Sequence, residues 1–130
     1  MSDLFHENVP EDFIRQVWAV MCQATQHTFQ VLTKRPERMR DIHRKLYFIN
    51  APNIWLGISV ENQSTAEKRI PILLDTPATH RFLSCEPLLE ELKIGYYLNF
   101  GNINWVFVVW FVLWIGSIVG MIIGLLRGWF

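Results

Sequence analysis

The sequence predicts an α/β fold of parallel strands, about half of a (β/α) barrel, followed by a hydrophobic C-terminal helix long enough to span a membrane. Three observations predict it. First, Ile54-Trp-Leu-Gly-Ile-Ser-Val-Glu-Asn62 runs through apolar or small residues and stops at a carboxylate and an amide. That is the pattern of a strand buried on both faces that ends at a polar mouth. Second, Thr28-Phe-Gln-Val-Leu-Thr-Lys-Arg35 and Arg81-Phe-Leu-Ser-Cys-Glu-Pro-Leu88 repeat the design, and the spacing of roughly 25 residues is that of one βα step. Third, residues 94–130 carry a single charge, Arg127, while all 12 Asp and Glu residues precede Ile94.

Each element has its own signal. Val9-Pro-Glu-Asp12 starts a first helix, with Asn8 as a possible cap, Pro10 in the first turn and carboxylates where the helix dipole favours them. Phe13, Ile14, Val17, Trp18 and Met21 recur at helical spacing and predict the buried face. Pro36 opens a second helix with Met39, Ile42, Leu46 and Ile49 inward, and Asn50-Ala-Pro-Asn53 ends it. Ser64-Thr-Ala-Glu67 offers a capping box for a third helix, in which Pro71 forces a kink or a restart, and Thr76-Pro77 closes it.

Parallel βα units gather functional groups at the carboxyl ends of their strands, where the loops converge on one rim. The rim candidates are Asp3, His6, Lys34, Arg35, Ser59, Glu61, Asn62, Ser84, Cys85 and Glu86. Each also has a plain structural reading: Glu61 and Glu86 as helix caps, Cys85 as a small buried residue. A complete barrel needs about 250 residues, so 130 residues hold about half.

With 12 Lys and Arg against 12 Asp and Glu and no long basic run, composition gives no case for nucleic-acid binding. The dense cluster from Lys34 to Lys45 is interrupted by Glu37 and Asp41 and reads as a solvated helix face. Two cysteines, Cys22 and Cys85, lack metal-type spacing, so no metal site is expected, and a reduced, cytoplasmic setting is the default for the soluble part.

Four segments in order, Met1-Ser-Asp-Leu-Phe-His-Glu7, Phe29–Met39, Trp55–Gln63 and Arg81–Leu89, resemble a phage-encoded and bacterial family of unknown function that looks like a radical SAM barrel. The resemblance covers residues 1–109. It implies a rim that served S-adenosylmethionine and a [4Fe-4S] cluster in complete relatives, whose cluster cysteines lie upstream of the segment matched by Ser2–His6. Such a cluster needs three neighbouring thiolates, which Cys22 and Cys85 do not supply. The expectation is therefore a fragment with Met1 as an internal methionine, without cofactors and without catalysis. General acid or base work by Glu61 or Glu86, in an intact small enzyme, is the lowest-ranked reading.

Trp105 to Leu126 has no charge and as a helix would be about 33 Å long, against roughly 30 Å of bilayer hydrocarbon. The opposing reading is that Ile103 to Val109 is a buried strand, since Ile103 to Val108 resembles the family's next strand. Trp105 and Trp129 sit where aromatic belts lie. Gly116, Gly120 and Gly124 recur every fourth residue, a face suited to close helix packing. The expected organisation is a barrel fragment over residues 1–102 and a tail anchor over 103–130, membrane-bound and self-associating through the glycine face or unpaired sheet edges. The competing reading is a tail-anchored module whose half-barrel binds a ligand or a partner.

Overall fold

The computed structural model describes residues 3–85, 90–109 and 122–124. Helix α1 (Glu11–Gln23) precedes strand β1 (Phe29–Thr33), followed by α2 (Pro36–Lys45), β2 (Ile54–Ser59), α3 (Gln63–Leu74), β3 (His80–Cys85), α4 (Gly95–Phe100), β4 (Trp105–Val109) and β5 (Ile122–Gly124). The strands form one sheet in sequence order, β1-β2-β3-β4-β5. The first four are parallel, with Val31 beside Leu56, Leu56 beside Arg81 and Leu83 beside Val106. The three predicted strands thus form where the apolar runs lie.

Sequential order has a geometric consequence. Parallel strands joined by right-handed crossovers, each advancing one place, carry their helices on a single face. The buried core lies on that face: Ile14, Trp18 and Met21 of α1, Met39 and Ile42 of α2, and Ala66, Ile70 and Leu73 of α3 meet Ile54, Leu56, Ile58 and Leu83. Each fully buried aliphatic side chain there stabilises the fold by about 1.5–3 kcal/mol before entropy is counted. The strand positions of opposite parity, Trp55, Gly57 and Ser59 beside His80, Phe82 and Ser84, form the second face. Aromatic rings dominate it: Trp55 stacks on Trp105 at 6.0 Å, and Phe82 meets Phe107 edge-on at 5.6 Å.

The predicted helices need local corrections. Pro10 occupies the N-cap of α1 with no side-chain cap, so Asn8 does not serve there. Phe13 and Ile49 point outward, at 53% and 71% exposure, because neither lies over the sheet. The cap of α3 begins two residues before the Ser64 start: the Asn62 side chain accepts from the Thr65 N–H at 2.8 Å, and the Thr65 hydroxyl accepts from the Asn62 N–H at 3.1 Å. Pro71 stays inside α3, which runs unbroken to Leu74.

The expected membrane helix over residues 105–126 is overturned. Trp105–Val109 is strand β4, parallel to β3, and Ile122–Gly124 is strand β5, antiparallel to β4, with Phe107 beside Gly124 and Val109 beside Ile122. Among the described residues no helix is long and apolar enough to cross a membrane, so the tail-anchored membrane localisation fails with it. Valines at 106, 108 and 109 suit a pleated surface, and β3 offers their backbone a partner that hydropathy cannot register. Gly124 lies in a strand, where a four-residue repeat does not make a helix face; Gly116 and Gly120 lie outside the described residues. The antiparallel β5 also departs from the repeating βα step of a barrel, leaving an α/β fold with a four-stranded parallel sheet and one antiparallel strand.

Candidate functional site

At the carboxyl ends of β1 and β2 lies a cavity of about 560 Å³, lined among the described residues by Asp3, His6, Thr33, Lys34, Arg35 and Ser59, and by Leu32, Asn8 and Val9. Its position follows from the topology, since the loops leaving neighbouring parallel strands open at the same edge. The volume falls in the range of small-molecule sites.

Asp3 organises one wall. Its Oδ1 accepts from the Phe5 N–H at 2.9 Å, and its Oδ2 accepts from the Thr33 hydroxyl at 2.9 Å, the Lys34 N–H at 3.2 Å and the Arg35 guanidinium at 3.1 Å. Burial alone would raise this carboxyl, but bonds from Thr33, the Phe5 and Lys34 backbones and Arg35 outweigh it and hold the group below the ordinary carboxylate range. The Thr33 hydroxyl also accepts from the Arg35 N–H at 2.9 Å. Arg38 ties down the same N-terminal segment by donating to the carbonyls of Phe5, His6 and Val9. Asp3 is therefore an ionised latch between the N-terminal loop and β1, with its acceptor capacity filled.

Glu61 is tied in the same way. Lys34 Nζ lies 3.2 Å from its Oε1, and Arg69 Nη1 lies 3.2 Å from its Oε2 while donating to the Ser59 carbonyl at 2.7 Å. Lys34 is 59% exposed, so that half of the pair adds little stability. What it does is keep an ammonium at the cavity mouth.

Of the predicted rim residues, the cavity brings together Asp3, His6, Lys34, Arg35 and Ser59, with Glu61 joined through Lys34. Asn62 caps α3. Ser84 is buried beside Ser59 in the β2–β3 register, and Cys85 is buried in the core at the end of β3; neither lines the cavity. Glu86 lies outside the described residues. Sequence reasoning missed Thr33, Arg38 and Arg69, whose roles depend on contacts across 30, 32 and 8 residues of chain. Only Thr33 had a signal, as a hydroxyl at the last position of a strand.

The donor set does not fit an iron–sulfur cluster. Cys22 lies on α1, where burial pushes its thiol up and away from the thiolate form, and Cys85 closes β3. Among the described residues no group of three His, Cys, Asp or Glu side chains could hold a metal ion. Nor do Asp3 and Glu61 make an acid–base pair, since each is neutralised by its own cations.

A family model described as a protein of unknown function, DUF5131, matches residues 1–109. No curated protein and no solved structure matches the chain.

Proposed function

The chain belongs to the DUF5131 family of unknown function, and on that premise we propose that it is a ligand-binding module which takes a small molecule at the rim of its parallel sheet. The observation that carries this reading is the 560 Å³ cavity at the ends of β1 and β2, walled by polar groups that the Asp3 latch and the Arg38 clamp fix in place. Pre-ordered walls spare a ligand the entropy of organising its own site. In this reading the scaffold is radical-SAM-like, of phage or bacterial origin. Its support is the resemblance of the four segments and the parallel strands in sequence order. The residues here do not hold the cluster that starts radical chemistry, and Asp3 and Glu61 are each held by their own cations, so in this reading the site binds without turnover.

A thermal-shift panel of polar metabolites, with S-adenosylmethionine among them, tests the reading on the full chain. A compound at 100 times its Kd stabilises the fold by about 2.7 kcal/mol. At least one compound raises the melting temperature, and Leu32→Trp, which fills the cavity wall from β1, abolishes the rise. A panel without effect, or a rise that survives Leu32→Trp, contradicts it.

A further inference from the structure

We infer that the molecule taken by this cavity is held by an anionic head, and that phosphate-bearing metabolites are its class. The inference rests on the ligand-binding reading and goes on to the hydrogen-bonding capacity that the walls retain. Among the described residues both rim carboxylates, Asp3 and Glu61, are ion-paired. Asp3 accepts from four donors, and Glu61 is shared by Lys34 and Arg69. Each has its charge offset by a cation of its own.

The polar groups that remain are donors. Lys34 Nζ bears three N–H groups, has one ionic partner in Glu61 and is 59% exposed. Arg35 spends one guanidinium nitrogen on Asp3 and remains one-third exposed. His6 accepts the Asn8 N–H on Nδ1 at 3.1 Å, which leaves the proton of the neutral ring on Nε2. The Ser59 hydroxyl lines the cavity and makes no hydrogen bond to a described residue.

Charge adds to this. Within the group of ion pairs formed by described residues here, three cations, Lys34, Arg35 and Arg69, meet two carboxylates, Asp3 and Glu61. Helix α2 begins here at Pro36 with no side-chain cap, so the positive end of its dipole lies beside Lys34 and Arg35. Donors from the N-terminal loop, the β1 end and the β2 end approach from separate elements. That arrangement suits an anion with several outward oxygens better than a planar carboxylate with two. The cavity is several times larger than a bare phosphate, so the anion is one part of a larger molecule.

The test is isothermal titration of the full chain at low salt with pyrophosphate, succinate and glycerol as probes. Pyrophosphate is expected to bind saturably and succinate at least fivefold more weakly, with no binding of glycerol. Lys34→Gln, a change at an exposed side chain, should weaken pyrophosphate at least fivefold, and Ser59→Ala about threefold, with both variants keeping the wild-type circular dichroism spectrum. Succinate binding as tightly as pyrophosphate, or Lys34→Gln binding unchanged, overturns the phosphate class. If a neutral compound from the thermal panel occupies the cavity while pyrophosphate does not bind, this inference falls and the ligand-binding reading stands. If no compound of the panel binds either, both fall.

Discussion

Replacing Asp3 by Asn isolates the latch that shapes the cavity wall. The carboxylate serves four donors, three of them on Oδ2, and its side chain is only 16% exposed. An asparagine offers one oxygen. With that oxygen towards Thr33, Lys34 and Arg35, its NH₂ group meets the Phe5 N–H; turned round, it meets the other three donors. Either way donors oppose donors, and the ionic partner of Arg35 is lost. Hydrogen bonds to a charged group contribute about 1.5–3 kcal/mol each and are not additive, so the net loss is about 2 kcal/mol at neutral pH. For a chain of this length that is a melting temperature lower by about 8 °C. The pH dependence has a definite sign. The folded carboxyl lies below its ordinary range, so its contribution is complete above about pH 4 and is lost as the pH falls through the folded value. Asn takes up no proton, and the gap between the two proteins must therefore close in acid. Urea unfolding of both, followed by circular dichroism at pH 7 and near pH 3, measures it. A gap below about 0.5 kcal/mol at pH 7, or one that does not narrow near pH 3, refutes the latch.

Three further outcomes follow from the packing. Gly57→Ala drives a Cβ into the tip of the Phe82 ring, and Phe82 is itself buried against Phe107; the cost is about 1–3 kcal/mol, and Phe82→Leu in the same chain should recover much of it in a double-mutant cycle. His43 is buried edge-on against the stacked Trp18 and Phe48 rings, with no partner for Nε2 among the described residues, and burial holds its pKa below the ordinary value. Stability should therefore decline as the pH drops below about 6.5, where the unfolded chain takes up a proton that the folded one refuses, and His43→Leu should flatten that slope in denaturant titrations. Asn62→Ala removes the cap of α3 and should cost about 1 kcal/mol by urea unfolding, with Asn62→Gly nearer to neutral.

The strands were legible because a doubly buried strand writes itself as an apolar run, and the polar residue at each end marks the rim. Lys34, Arg35 and Ser59 stand where that rule puts them, at the ends of β1 and β2, whereas Asp3 and His6 belong to a turn-rich segment outside any described strand. Thr33, Arg38 and Arg69 were missed, because their partners are set by side chains reaching between elements: Arg38 to the carbonyls of residues 5, 6 and 9, and Arg69 back to Ser59. Strand β4 shows the opposite failure. Trp105–Val109 is apolar enough to enter a helical hydropathy window, yet its backbone pairs with β3. A short apolar run does not reveal whether lipid or a neighbouring strand surrounds it. His43 was invisible for a related reason: it follows Ile42 on a charged helix, and only the fold turns it inward against the stacked Trp18 and Phe48 rings.

The most direct test of the rim as a binding site is amide-shift mapping of the isotopically labelled full chain during titration with pyrophosphate. Shifts confined to residues 3–9, 32–35 and 59–61 are the predicted result. Their absence, or their concentration on α4 or at the opposite end of the sheet, would contradict it.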